Sequence, residues 1–212
     1  MAMIKSALEI ALERSRDIKV DEVAIEANTL RIEGKKGAGR YLDDPESGSL
    51  SEKLAQYPKE KRNAVREGMF DVLASQIQLP VNEASTAKLD ILSAGFSMLA
   101  AAAGTGLPVG KGPAADKRVQ ALFQQLAGFF KQYLDDMKNV EQAIRKQWGP
   151  KIREKERQMA ARMGQDVRID PMSDPEFAAF YKQNVSAARA QYQAALDKAK
   201  EDLASLLGIE KR

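Results

Sequence analysis

From Val119 to Trp148 an apolar residue returns every three or four positions: Val119, Leu122, Leu126, Phe129, Tyr133, Met137, Val140, Ile144 and Trp148. Side chains at that spacing fall on one side of an α-helix and on no single face of a strand. Gly149-Pro150 follows, so the spacing predicts a helix of about 34 residues, roughly 50 Å at 1.5 Å per residue, ending there. A second run has the same step: Phe177, Tyr181, Val185, Ala188, Tyr192, Leu196, Ala199, Leu203 and Leu206. Asp174 is placed to cap its start, with Pro175 at the first helical position, and Gly208 to close its end. A charged helix from about Pro150 to Met163 and a loop, Gly164–Ser173, join the two. Two long helices so connected make a hairpin.

The rest of the chain reads in the same way. Ile4, Leu8, Ala11 and Leu12 predict a first amphipathic helix over about 3–17, with Glu9, Glu13 and Asp17 as a solvated stripe. Val20, Val23, Ala27 and Leu30 start a second. It either runs through Gly34, Gly37 and Gly39 to Tyr41, letting another helix come close, or stops at one of those glycines. Asp43–Ser49 is a loop by turn chemistry. Pro58 opens a helix that carries Val65, Met69, Val72, Leu73 and Ile77 and that Pro80 stops. Asn82 can cap the next, where Leu89, Leu92, Phe96, Leu99 and Ala103 form a stripe flanked by Ile91, Met98 and Ala102. So broad an apolar surface belongs to a buried helix. Sustained alternation is absent, and Val167-Arg168-Ile169 alone resembles a strand.

The expected fold is therefore all-α: a helical bundle with a long C-terminal helical hairpin. Residues 1–103 form an N-terminal lobe, 104–113 a linker with four Gly and two Pro, and 114–212 the hairpin. The two parts can also be one continuous domain.

Composition narrows the chemistry. The chain has no His and no Cys, which excludes a Ser-His-Asp triad, thiolate or His-ligated zinc, a Glu-x-x-His di-iron site and disulfides. Catalysis would fall to Asp, Glu, Lys, Tyr, Ser or Thr. No cofactor is expected. The longest apolar run, Met98–Ala103, is far shorter than the roughly 20 residues that span a bilayer, and the first residues lead directly into a charged helical pattern. The expected location is the cytoplasm, with no membrane partner.

Three segments mimic sites. Gly104-Thr105-Gly106-Leu107-Pro108-Val109-Gly110-Lys111-Gly112 resembles a phosphate-binding loop. It has five residues instead of four before Gly110-Lys111, and Gly112 stands where a Mg²⁺-holding hydroxyl is needed. Gly34–Arg40 mixes glycines with Lys35, Lys36 and Arg40, which helix packing and solvated charge explain. Asp166, Asp170, Ser173 and Asp174 gather oxygen atoms without the Ca²⁺-loop spacing, which suits capping and turns.

Arg145–Arg168 holds eight basic residues against three acidic ones. Lys151, Lys155 and Arg162 share one helical face and are the candidates for phosphate or nucleic-acid contact. Arg153 and Arg157 lie elsewhere on the wheel, Glu154 and Glu156 repel a polyanion, and the one nearby aromatic, Trp148, belongs to the apolar stripe. Nucleic acid is not the expected partner.

Ile4-Lys5-Ser6-Ala7-Leu8-Glu9-Ile10-Ala11-Leu12-Glu13-Arg14, and Arg66-Glu67-Gly68-Met69-Phe70 ahead of Leu79-Pro80, resemble an uncharacterised family of bacterial helical proteins over the first 80 or so residues. That family has no assigned activity, so the resemblance implies no catalytic or binding residue.

The doublets Leu122-Phe123, Phe129-Phe130 and Tyr133-Leu134 widen the apolar stripe beyond what one neighbouring helix covers. A second copy of the chain, or another helical protein, can cover the remainder, with Tyr192 as candidate interface residue. The functional expectation is a non-catalytic interaction or scaffold protein, homodimeric. The alternatives are a nucleic-acid-associated protein using 145–168, or an enzyme with an unrecognised carboxylate or Lys site.

Overall fold

A computed structural model describes residues 22–46, 48–103 and 112–209. Among them are six α-helices, two short 3₁₀ turns and no strand. The helices are α1 (Glu22–Asp43), α2 (Leu50–Ala55), α3 (Lys59–Ser75), α4 (Lys88–Ala103), α5 (Gly112–Met163) and α6 (Pro175–Leu206). The 3₁₀ turns Glu83–Ala87 and Pro171–Ser173 lead into α4 and α6. The helix expected over 3–17, with Glu9, Glu13 and Asp17, lies outside the described residues, as does most of the 104–113 linker.

α1 runs unbroken through its glycines, and they do what a continuous helix would use them for. A Cβ on Gly34 would stand 2.0 Å from the Val65 carbonyl oxygen, and one on Gly68 would stand 2.0 Å from that of Arg31. Each helix thus presents a bare backbone to the other at the α1–α3 crossing. Arg31 Nε donates to Glu67 Oε2 at 2.7 Å beside it.

α3 is shorter than its apolar pattern predicts, ending at Ser75 rather than at Pro80. The residue before a proline avoids the helical region, and that restriction favours an extended approach to Pro80. Ile77 and Leu79 still reach the core, at 1% and 7% exposure, because an extended chain buries alternate residues. Asn82 then caps the 3₁₀ turn by accepting from the Ser85 N–H at 3.0 Å.

α5 differs most from expectation. It does not end at Gly149-Pro150; it continues to Met163 as 52 residues, roughly 78 Å long. Pro150 removes one backbone donor, yet Gly149 has no Cβ to collide with the proline ring. Apolar anchoring on both sides holds the helix together: Trp148 and Ile152 are buried in the same cluster. The helix ends instead at Gly164, whose φ of 68° only glycine adopts readily, with its N–H donating to the Ala160 carbonyl.

The expected caps of α6 form. Asp174 Oδ1 accepts from the N–H groups of Glu176 and Phe177. At the other end Gly208 takes φ 64°, and Ile209 N–H returns to the Ala204 carbonyl at 2.9 Å, a Schellman closure.

One core joins the lobe to the base of the hairpin. Phe96 of α4 touches Phe70 of α3 and Phe123 of α5, each at 5.6 Å between ring centres. Val65, Met69, Leu73, Leu99, Leu196 and Leu203 are fully enclosed in the same cluster, each worth about 1.5–3 kcal/mol of burial. The far end of the hairpin has its own smaller core of Ile144, Trp148, Ile152 and Phe177.

Candidate interaction site

The hairpin tip is where the basic stretch and the acidic loop meet. α5 delivers Lys155 four residues after Lys151, and the loop delivers Asp174 as the cap of α6. Lys155 Nζ donates to Asp174 Oδ2 at 2.5 Å and to Glu176 Oε2 at 3.2 Å. Hydrogen bonding to Asp174 holds the Lys155 ammonium above its ordinary pKa. The same bond, with the backbone N–H of Phe177, holds the Asp174 carboxyl below the usual carboxylate range. Asp174 is buried, so one carboxylate both caps α6 and ties it to α5.

Lys151 Nζ lies 4.4 Å from the centre of the Trp148 ring, a cation–π contact. Arg162 is exposed. The three basic candidates share a face of α5, as their spacing dictates, but two of them are already committed within the chain. Glu156 Oε1 accepts from the Ile169 N–H at 3.0 Å, and Asp170 Oδ1 from the Met172 N–H at 3.1 Å. Asp170 and Asp174 therefore serve a turn and a cap, while Asp166 is exposed. A cleft of about 480 Å³ opens between the last turns of α5 and this loop, with Met159, Arg162, Arg168 and Pro175 among its walls.

Tyr192 sits on the α5–α6 seam. Its ring centre lies 5.3 Å from that of Phe129 and 5.1 Å from that of Tyr133. Its hydroxyl donates to Asp136, and that bond pushes its pKa up to about 12. The ring is half-buried against the chain's own core. Nearer the tip Tyr181 donates to Glu141 at 2.8 Å, a second polar stitch along the seam.

Lys35 and Lys36, beside the α1 glycines, pair with Asp71 at 3.3 Å and Glu33 at 3.0 Å. Among the described residues no group of three or more acidic side chains is arranged to hold a metal ion. No described helix is long and apolar enough to cross a membrane.

Arg66 is not singled out by its place in the sequence. It is 2% exposed; Nη2 donates to Asn63 Oδ1 at 3.0 Å, while Nε and Nη1 have no hydrogen-bond partner. Burial pushes the guanidinium pKa down. A single Arg in a helical stretch carries no periodic signal of burial. The Lys155–Asp174 tie was equally hidden, since 19 residues and a loop separate its partners.

Fold and site together define an all-α protein with a projecting helical hairpin. Residues 51–205 match a family of unknown function, DUF6657, and the chain belongs to it. Of the segments noted above, Arg66–Phe70 and Leu79-Pro80 fall within the matched span and Ile4–Arg14 outside it. No curated protein and no solved structure matches the chain.

Proposed function

We propose that the protein is a non-catalytic interaction or scaffold protein of the cytoplasm, homodimeric, with the α5–α6 hairpin as its coiled-coil-like arm. One observation carries this reading. The outer half of the hairpin has four buried apolar side chains, Ile144, Trp148, Ile152 and Phe177, while Val140, Phe180, Tyr181 and Val185 stay half-covered beside them. A two-helix seam leaves one side of each helix without a neighbour. A symmetry-related hairpin offers a surface of the same length and pattern, and half-buried Tyr192 lies towards the near end of that strip.

Light scattering after size exclusion tests the proposal, with twice the 23.3 kDa chain mass expected at about 10 µM. Val140→Lys, on the half-covered strip, should return the monomer mass with helix content intact by circular dichroism. A wild-type monomer at that concentration overturns the dimer.

A further inference from the structure

The hairpin tip presents two kinds of side chain outward. Met159, Met163 and Met172 are 41%, 57% and 53% exposed. Three of the seven large hydrophobics exposed among the described residues thus fall at one end of the molecule. Met159 and Met163 stand one helical turn apart on α5, and Met159 lines the cleft at its end.

Arg162 and Arg168 line the same cleft as Met159, and Arg153 and Arg157 lie on another face of this end. All four are exposed, and none makes an ion pair among the described residues. The acidic groups of this end are mostly turned to internal bonds. Glu154 holds Gln158, Glu156 and Asp170 hold backbone N–H groups, and Asp174 and Glu176 hold Lys155. Asp166 is exposed beside Arg153, Arg157 and Arg168; beside Met159 and Arg162, what remains for a partner is guanidinium and thioether.

Arg and Met are the side chains enriched in protein interfaces, where Lys and Glu are depleted. A guanidinium fork matches carboxylates bidentately, and flexible thioethers mould to aliphatic side chains. Stacking of bases would need exposed aromatic rings; Trp148 and Phe177 at this end are buried, and Phe180 and Tyr181 are half-covered against them.

We infer that the hairpin tip, with Met159, Met163, Arg162 and Arg168 at its centre, is the docking surface for an acidic amphipathic helix of a protein partner. The inference rests on the reading of the chain as an interaction protein, though not on its being a dimer.

The test uses the full chain and a fluorescent synthetic helix of about 20 residues, with Leu at three- and four-residue spacing and Glu on the flanks. Fluorescence anisotropy should show saturable binding below about 100 µM, a free energy beyond roughly −5.5 kcal/mol. Arg162→Glu with Arg168→Glu should weaken it at least about 10-fold, and Met159→Ser with Met163→Ser should also weaken it. Circular dichroism and light scattering on each variant should match the wild type, which separates a lost contact from a lost fold or a lost dimer. A helix with Lys in place of Glu should not bind. Absence of binding by the wild type, equal binding by the variants, or tighter binding of duplex DNA than of the acidic helix each overturns the proposal.

Discussion

Gly34 and Val65 approach so closely that a methyl group on the glycine would stand 2.0 Å from the valine carbonyl oxygen. No flexible side chain is available to give way there, because the obstacle is backbone. Gly34→Ala should therefore destabilise the protein by about 1–3 kcal/mol or more, despite the gain in helix propensity. Gly39 and Gly128 are also inside helices but have open space around them. Alanine at either should stabilise by roughly 0.5–1 kcal/mol. Urea denaturation of the three single variants checks the contrast.

Asp174→Asn keeps an oxygen for the α6 cap while removing the charge that faces Lys155. At neutral pH the variant should melt below the wild type. The Asp174 carboxyl is held below its ordinary value, so its contribution is complete above about pH 3.9 and fades as pH falls through the lower folded value. The two melting curves should converge in acid. Lys155 behaves in the opposite sense. Its raised pKa makes its contribution complete below about pH 10.4 and lost as pH rises through the folded value. A Tm difference that stayed constant from pH 7 down to 2 would contradict the pairing.

Alkaline titration followed by tyrosinate absorbance should place Tyr192 last among the rings of the folded protein. Its pKa is pushed up to about 12 because the neutral hydroxyl donates to Asp136. Burial raises Tyr41 and the Glu141 bond raises Tyr181. Stability from the Tyr192 bond is complete below the unfolded value near 10 and disappears as pH climbs through the folded one. Tyr192→Phe should abolish the highest transition. If that transition persists in the variant, another ring owns it.

Arg66→Met should leave stability unchanged or raise it by about 1–4 kcal/mol, since an enclosed and poorly paired charge is replaced by an apolar side chain of similar length. Asn63→Ala should do the reverse, costing about 1–3 kcal/mol by removing the partner of Nη2. Denaturation midpoints in urea decide the matter, and a large loss in Arg66→Met would mean that the guanidinium has a partner beyond Asn63.

The long helices and their caps are legible in the chain because periodicity, Asp174, Pro175 and Gly208 all act locally. Pro150 misleads for the same reason. Its local chemistry reads as a stop, whereas Trp148 and Ile152 decide the outcome through contacts with Phe177 far along the chain. The crossing at Gly34 is half legible: a glycine inside a helical pattern announces close approach but not that Gly68 answers it. At the tip the basic count is visible in sequence. Which charges are already satisfied depends on a loop that brings Asp174 back to Lys155.

The two cores share a pair of helices but no buried residue, and only the larger includes the lobe. Local opening at the tip exposes four core side chains, whereas global unfolding exposes the whole bundle, so the two events have different free energies. Amides around Ile152 and Phe177 should exchange with deuterium faster than those around Leu73 and Leu99. A ligand held at the tip would slow only the first group, by mass action on that opening alone. A thermal-shift screen, which follows collapse of the larger core, would under-report such a ligand, and residue-resolved exchange is the measurement that would register it.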